Sequence, residues 1–476
     1  MEYVSRHFLL SSQLARTLYH EHASALPIID YHNHLDAKEI WLDSSPHNLT
    51  QAWINRDHYV WRAMRWNGID EHYITGEAND EDKFYHWCKI APKLIGNPLY
   101  QWSHLELKRY FNCDLLLNED NWQAIWQITQ TQLKKGTHSA RKLLQNCSVT
   151  TLCTTDSPSS DLHYHAKLAS SDCATQVLPT FRADELFIWR TIGDAGNYLD
   201  KFATLTQTDI SSIDDYLEAI ETRINTFNHQ GCRLADLGLK QVAFHPCSQR
   251  QANKLFGQLL SGNALSNSQR AALDTYLFVS LGRLYHKYRW TMQLHIGVLA
   301  DVNKRCVESV GSGSGFSIIN DQLRTDNLAY LLNALEQQNA LPKTILYNLN
   351  PAHNAVLASL CGAFQANDAG MGKIQFGAAW WFNDHKDGME AQLTTLKNTG
   401  ALGCFIGMLT DSRNLFSMSR HEYFRRVMCN LLANWVEQGE LPNDLELLQQ
   451  TIENICYHNA QRYFNFPAHH NVGASV

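Results

Sequence analysis

The sequence predicts an α/β fold of the closed (β/α)8, TIM-type barrel class, and three observations predict it. Short apolar runs alternate with amphipathic helical stretches through most of the chain, the runs number eight, and each finishes in a polar or aromatic residue. Barrels of this class carry their active sites at the C-terminal ends of the strands, so the residues that end each run are the ones to question. The runs fall at 27–35, 149–154, 176–181, 232–236, 291–295, 344–348, 374–380 and 405–411. Helical periodicity between them is plain at 215–227, 328–335 and 390–396.

Taken in order, residues 7–26 read as an amphipathic helix, with Leu10, Leu14 and Leu18 at helical spacing and Pro27 stopping it before the first strand. The first strand ends in Asp30-Tyr31-His32-Asn33-His34. From 45 to 147 the pattern changes to a tryptophan-dense stretch (Trp53, Trp61, Trp66, Trp87, Trp102, Trp122, Trp126) with helical periodicity and no clear strand. It is expected to be a helical insertion between the first two strands of a single barrel domain spanning 1–476. The glycine-rich run Gly311-Ser312-Gly313-Ser314-Gly315 follows no strand directly and has no lysine, so it reads as a flexible loop over the barrel mouth rather than a phosphate cradle. The tail is helical over 423–435 and 445–464, and 469–476 is expected to fray.

Composition narrows the function. Forty basic residues against 47 acidic ones give a formal charge of -7, with no lysine- or arginine-rich run, which argues against a nucleic-acid groove or an anionic membrane surface. The twelve cysteines are scattered with no C-x-x-C pair, and the N-terminus lacks the apolar core of a secretory signal. No apolar run approaches the roughly 18–20 residues that span a bilayer. The expectation is a reduced, cytoplasmic, soluble protein acting on a small molecule.

The chemistry-bearing residues cluster at strand ends. Alternate residues of a strand share a face, so His32 and His34 can grip one cation. A His-x-His pair arises readily by chance among 23 histidines, but this one ends the first strand, and the eighth run ends in Thr410-Asp411-Ser412-Arg413. Barrel closure puts Asp411 beside the two imidazoles, the donor set of a catalytic divalent site with open positions. No lysine ends the fourth strand to bridge a second ion, so one metal is expected. His295 ends the fifth strand and reads equally as a further ligand, a substrate contact or a buried histidine satisfied by backbone. Arg182 and Arg413 also end strands. A guanidinium grips a carboxylate through two parallel hydrogen bonds, so two of them at one mouth suggest an acidic substrate, although either alone can pair with a structural aspartate. The insertion adds His58 and Tyr59, two proton-handling groups in sequence, and Trp381 ends the seventh run in an aromatic wall that can stack on a sugar or fill the rim.

Several in-order segments resemble those of the uronate isomerase (glucuronate isomerase) family of the amidohydrolase superfamily: Ile28-Ile29-Asp30-Tyr31-His32-Asn33-His34-Leu35, Asp57-His58-Tyr59, Leu178-Pro179-Thr180-Phe181-Arg182, Trp380-Trp381-Phe382-Asn383-Asp384 and Met408-Leu409-Thr410-Asp411-Ser412-Arg413. The likeness runs from about residue 7 to 464. It implies reversible aldose–ketose isomerisation of D-glucuronate to D-fructuronate and of D-galacturonate to D-tagaturonate. It also implies one divalent metal, zinc, held by His32, His34 and Asp411, and substrate contacts from His58, Tyr59, Arg182, Trp381 and Arg413. The expected route is a cis-enediol with Asp411 as base, His58 as the alternative base and Tyr59 moving a proton between O1 and O2. The expected partner is a small uronate, with self-association into a homo-oligomer left open. A metal-dependent hydrolase of the same superfamily is the rival reading. One departure stands out: Leu237 follows Asp236 where the family commonly has histidine.

Overall fold

The computed structural model describes residues 2–190, 195–239, 242–366 and 370–468, so the fraying expected at 469–476 lies outside the described residues. Two parallel sheets form the barrel wall. The first is β1 (Ile28–Asp30), β2 (Val149–Cys153) and β3 (Gln176–Leu178), in that order; the second runs β10-β9-β6-β5-β4. Its strands are β4 (Phe181–Arg182), β5 (Leu234–Leu239), β6 (Thr291–Ile296), β9 (Thr344–Asn348) and β10 (Ile374–Phe376). A short antiparallel ribbon, β7 (Val298–Leu299) with β8 (Ile318–Ile319), stands apart. The expected third strand is β3 and β4 in succession. Thr180 N donates to Thr154 O at 3.1 Å and Arg182 N to Asp156 O at 2.9 Å, so the two sheets continue into one another.

Parallel neighbours cannot be joined by a tight turn, and the connections are accordingly helical. Ile213–His229, Asn267–Lys287, Thr325–Glu336 and Lys386–Thr399 each bury an apolar face, and Asn267–Lys287 packs on β6 and on Thr325–Glu336. The opening helix is shorter than expected, Gln13–Thr17, and continues as a wider turn over Leu18–Ala23.

The eighth run differs from expectation. Residues 405–411 form no strand ladder. Gly407 breaks the run: it sits at φ +84°, and a Cβ there would lie 2.2 Å from Ile455 O, so the peptide planes on either side cannot face a neighbouring strand in register. Side chains take over the closure. Asp30, fully buried, accepts from Thr410 N at 2.8 Å, Thr410 Oγ1 at 2.7 Å and Asn33 Nδ2 at 3.0 Å, with His421 Nε2 at 3.2 Å. Beyond it Asp411 N donates to His32 O and His34 N to Ser412 O, while on the other side Gln375 Nε2 donates to Cys404 O. The wall is therefore a TIM-type barrel whose last segment is pinned by side chains.

Between β1 and β2 every regular element is helical, including His58–Trp66, Asp80–Ile90, Pro98–Phe111 and Trp122–Leu133. Phe84, Trp87, Trp102 and Trp126 are buried and belong to the same apolar core as the barrel strands, whereas Trp66 is 81 % exposed. The glycine-rich loop is held to the helix His58–Trp66: Arg62 Nη1 donates to Ser317 O at 2.8 Å, and Arg65 donates to Ser314 O.

Removing the Asp30 carboxylate leaves buried donors on Thr410, Asn33 and His421 without an acceptor. Asp30→Ala is expected to cost about 3–5 kcal/mol in urea unfolding. A loss below about 1 kcal/mol would show that the seam does not depend on this group.

Candidate active site

The ladder of β1 stops at Asp30, and His32 and His34 follow it directly. Both reach one oxygen: Asp411 Oδ1 lies 3.3 Å from His32 Nε2 and 3.0 Å from His34 Nε2. One nitrogen or oxygen from each of the three falls within 4.8 Å of the others, the span of ligands around a single divalent ion. Asp411 has φ +47°, a left-handed conformation that aspartate tolerates better than most residues. Its other oxygen, Oδ2, accepts from Trp380 Nε1 at 2.8 Å.

The surroundings fit a cation. Asp236, fully buried, stands behind His32 with Oδ2 3.5 Å from Nδ1, so a carboxylate orients the imidazole from the far side. Burial pushes His32 down, but Asp411 and Asp236 outweigh it and hold the ring above its ordinary value. Burial would raise Asp411, yet hydrogen bonds from His32 and His34 hold it well below the usual carboxylate range. One buried carboxylate, Asp236, and one half-buried, Asp411, beside two imidazoles make an electronegative nest suited to a divalent ion.

A cavity of about 220 Å³ opens over this cluster, lined by His32, His34, His58, Arg182, His295, Trp381, Asp411 and Arg413 together with Asp184, Gly238 and Trp380. The structure thus brings together all but one of the side chains singled out in the sequence. The exception is Tyr59, which lines an adjoining cavity of about 390 Å³ on the far side of Trp381; its ring lies 4.6 Å from that of His58 and 6.5 Å from Trp381. Burial, then the charges of Asp411 and Asp384, push the Tyr59 phenol well above its ordinary value, so it stays protonated. Trp381 itself has φ +54°, a conformation that costs a bulky residue roughly 1–2 kcal/mol and that turns its indole into the wall between the two cavities.

The two arginines differ. Arg182 is doubly engaged, Nε to Asp184 Oδ2 at 2.5 Å and Nη1 to Asp236 Oδ1 at 2.8 Å. Arg413 is exposed and, among the described residues, has no carboxylate partner, which leaves its fork free. Gly238 lets Asp184 come close: its N–H donates to Asp184 Oδ1 at 3.2 Å, and a Cβ there would meet that oxygen at 2.8 Å. His295 lies outside the three-ligand cluster. Both its ring nitrogens are buried without a hydrogen-bond partner, so it is not satisfied by backbone; the ring stacks on Tyr347 at 4.7 Å and lies 4.8 Å from His32. Burial drives it well below its ordinary value, and it is neutral. Leu237 is buried in the core and does not line the cavity. Sequence reasoning missed Trp380 and Asp184. Trp380 carried a signal as the last residue of the seventh run, and Asp184 one as the aspartate two residues beyond Arg182, but neither was singled out.

The family model described as glucuronate isomerase matches residues 1–464. The chain is 44% identical over 466 residues to the uronate isomerase of Shouchella clausii (strain KSM-K16), covering 98% of each chain, and 44% identical over 464 residues to that of Caldanaerobacter subterraneus subsp. tengcongensis, covering 97% of this chain and 99% of the other. Among solved structures, the uronate isomerase of Thermotoga maritima superposes with a TM-score of 0.92 at 32% identity, covering 98% of this chain and 100% of that one. A glucuronate isomerase from Caulobacter crescentus shares the fold, with a TM-score of 0.88 at 22% identity over 96% of each chain.

Burial is the main reason that His58 titrates near 4 in the folded chain instead of 6.5. The unfolded chain takes up this proton first, so the stability that His58 contributes is complete above about 6.5 and is lost as pH falls towards 4. His58→Gln is expected to shrink the drop in unfolding midpoint between pH 7 and pH 5. An unchanged drop would mean that His58 is solvated.

Proposed function

The chain belongs to the glucuronate isomerase family, and from that premise we propose that it interconverts D-glucuronate with D-fructuronate and D-galacturonate with D-tagaturonate by proton transfer in the cavity over His32, His34 and Asp411. What supports this reading is that one cavity holds a three-ligand cation cluster and an unpaired guanidinium, Arg413, which are the needs of a substrate with a carbonyl at one end and a carboxylate at the other. Zinc is the ion that two imidazoles and one carboxylate suit, and when bound it supplies Lewis acidity at the sugar carbonyl.

The chain's own groups do the rest. Arg413 takes the uronate carboxylate with its planar fork. Trp381, stacked on Phe382 with ring centroids 5.4 Å apart, forms the wall on which the sugar lies. Arg182, drawn to Asp184 and Asp236, presents its remaining N–H edge to the cavity while fixing Asp236 behind His32. His295, neutral and unpartnered, is available to a sugar hydroxyl. Asp411 removes the proton from C2, and the enediol collapses as a proton is delivered to C1. Moving the proton that O1 gains and O2 gives up is the role expected of Tyr59, but Tyr59 lines the adjoining cavity beyond Trp381, so the shuttle falls to His58, which lines the same cavity as Asp411. His58, held neutral, is the alternative base. The whole of 1–476 acts as one barrel unit with its insertion at 45–147 delivering His58 and Tyr59. None of the twelve cysteines is in a disulfide, which suits a reducing, cytoplasmic setting.

Incubating metal-loaded protein with D-glucuronate is expected to yield ketose, and a chelator is expected to lower the rate; no ketose from the loaded protein would overturn the reading. Arg413→Lys keeps the charge but loses the fork, and is expected to lower kcat/KM for both uronates by about 30- to 150-fold, the equivalent of about 2–3 kcal/mol. Wild-type kinetics in that variant would make Arg413 a rim residue only.

A further inference from the structure

Arg420 lies in the first turn of the helix Ser419–Glu437 and is 3 % exposed. A guanidinium so deeply buried must find partners inside the protein. It finds them on three segments far apart in sequence. Nη1 donates to Thr410 O at 3.3 Å and lies 3.5 Å from Asp384 Oδ2, and Nη2 lies 3.9 Å from Asp57 Oδ2. The plane of the group rests on the Trp102 indole, 4.0 Å from its ring centroid, so the insertion packs against it as well.

None of these groups lines the cavity over the histidines, yet each adjoins or braces one that does. Thr410 precedes Asp411. Asp57 precedes His58 and caps its helix, its Oδ1 accepting from Tyr59 N at 2.8 Å. Asp384 closes the turn at Trp381, with Asp384 N donating to Trp381 O at 3.0 Å. Building on the isomerase reading, we propose that Arg420 is a positioning residue for the reaction: one buried fork that holds the Asp411 segment, the His58-Tyr59 helix and the Trp381 turn at a fixed spacing. The planar, multi-donor shape matters, because a lysine is a point charge that cannot face a carbonyl and two carboxylates at once. The three segments come from the end of the barrel, from the insertion and from the seventh strand's loop, and no other single side chain described above touches all three.

The test compares the metal-loaded wild type with Arg420→Gln and Arg420→Lys, using hydrogen–deuterium exchange and steady-state kinetics on D-glucuronate. Arg420→Gln is expected to raise exchange together at 57–66, 381–385 and 408–412 while the rest of the barrel stays as in wild type. It is also expected to lower kcat by about 10- to 100-fold with KM changed by less than about threefold and metal content unchanged. Arg420→Lys is expected to recover only part of kcat. Exchange that rises throughout the chain, exchange unchanged at the three segments, or an unaltered kcat would each overturn the proposal. If Arg420→Gln does not fold, Asp384→Asn, which weakens one arm only, decides: the proposal requires higher exchange at 381–385 with a lower kcat, and no change in either overturns it. The exchange arm does not depend on turnover, so a wild type inactive on D-glucuronate would count against the isomerase reading while exchange still judged the clamp.

Discussion

Asp30 accepts hydrogen bonds from both sides of the seam between the first strand and residues 405–411, and the geometry of the cavity depends on that seam. A kink at Gly407 interrupts the eighth segment, and the buried carboxylate joins two backbone hydrogen bonds, Asp411 N to His32 O and His34 N to Ser412 O, in holding it to the continuation of β1. With it, Thr410 is locked, Asp411 N reaches His32 O, and one carboxylate oxygen comes within hydrogen-bonding distance of two imidazoles. A few tenths of an ångström matter there, because a cation site tolerates only narrow ligand distances.

The electrostatics extend outward from that point in alternating shells. Behind His32 of the cation cluster stands Asp236; against Asp236 stands Arg182; against Arg182 stands Asp184, drawn to the backbone of Gly238. Each buried charge is answered by the next, which lets the barrel interior hold several ionised groups at acceptable cost. Arg413 is the exception, an unanswered fork on the cavity's lining.

The fold class, the helical insertion and the gathering of His32, His34, Asp411, Arg413 and Trp381 were legible in the sequence because each rests on periodicity or on position at a strand end. The limits are as instructive. Residues 405–411 carry the apolar pattern of a strand, yet they hold a left-handed glycine packed against Ile455 O in the C-terminal region, a contact no local pattern reveals. Arg182 and Arg413 look alike in sequence, and only the fold shows one paired twice and the other free. Tyr59 follows His58 directly, but a helical turn sends the two to different sides of Trp381. Arg420 gave no signal at all, since its partners lie at positions 57, 384 and 410.

The central claim is that a carboxylate held by two histidines moves a proton from C2 to C1 of a uronate. Running the isomerisation of D-glucuronate in heavy water and reading C1 of the ketose by NMR tests it most directly. Proton transfer through an enediol predicts solvent deuterium at C1 in at least part of the product. Complete absence of deuterium over many turnovers, with the C2 hydrogen carried intact to C1, would contradict it.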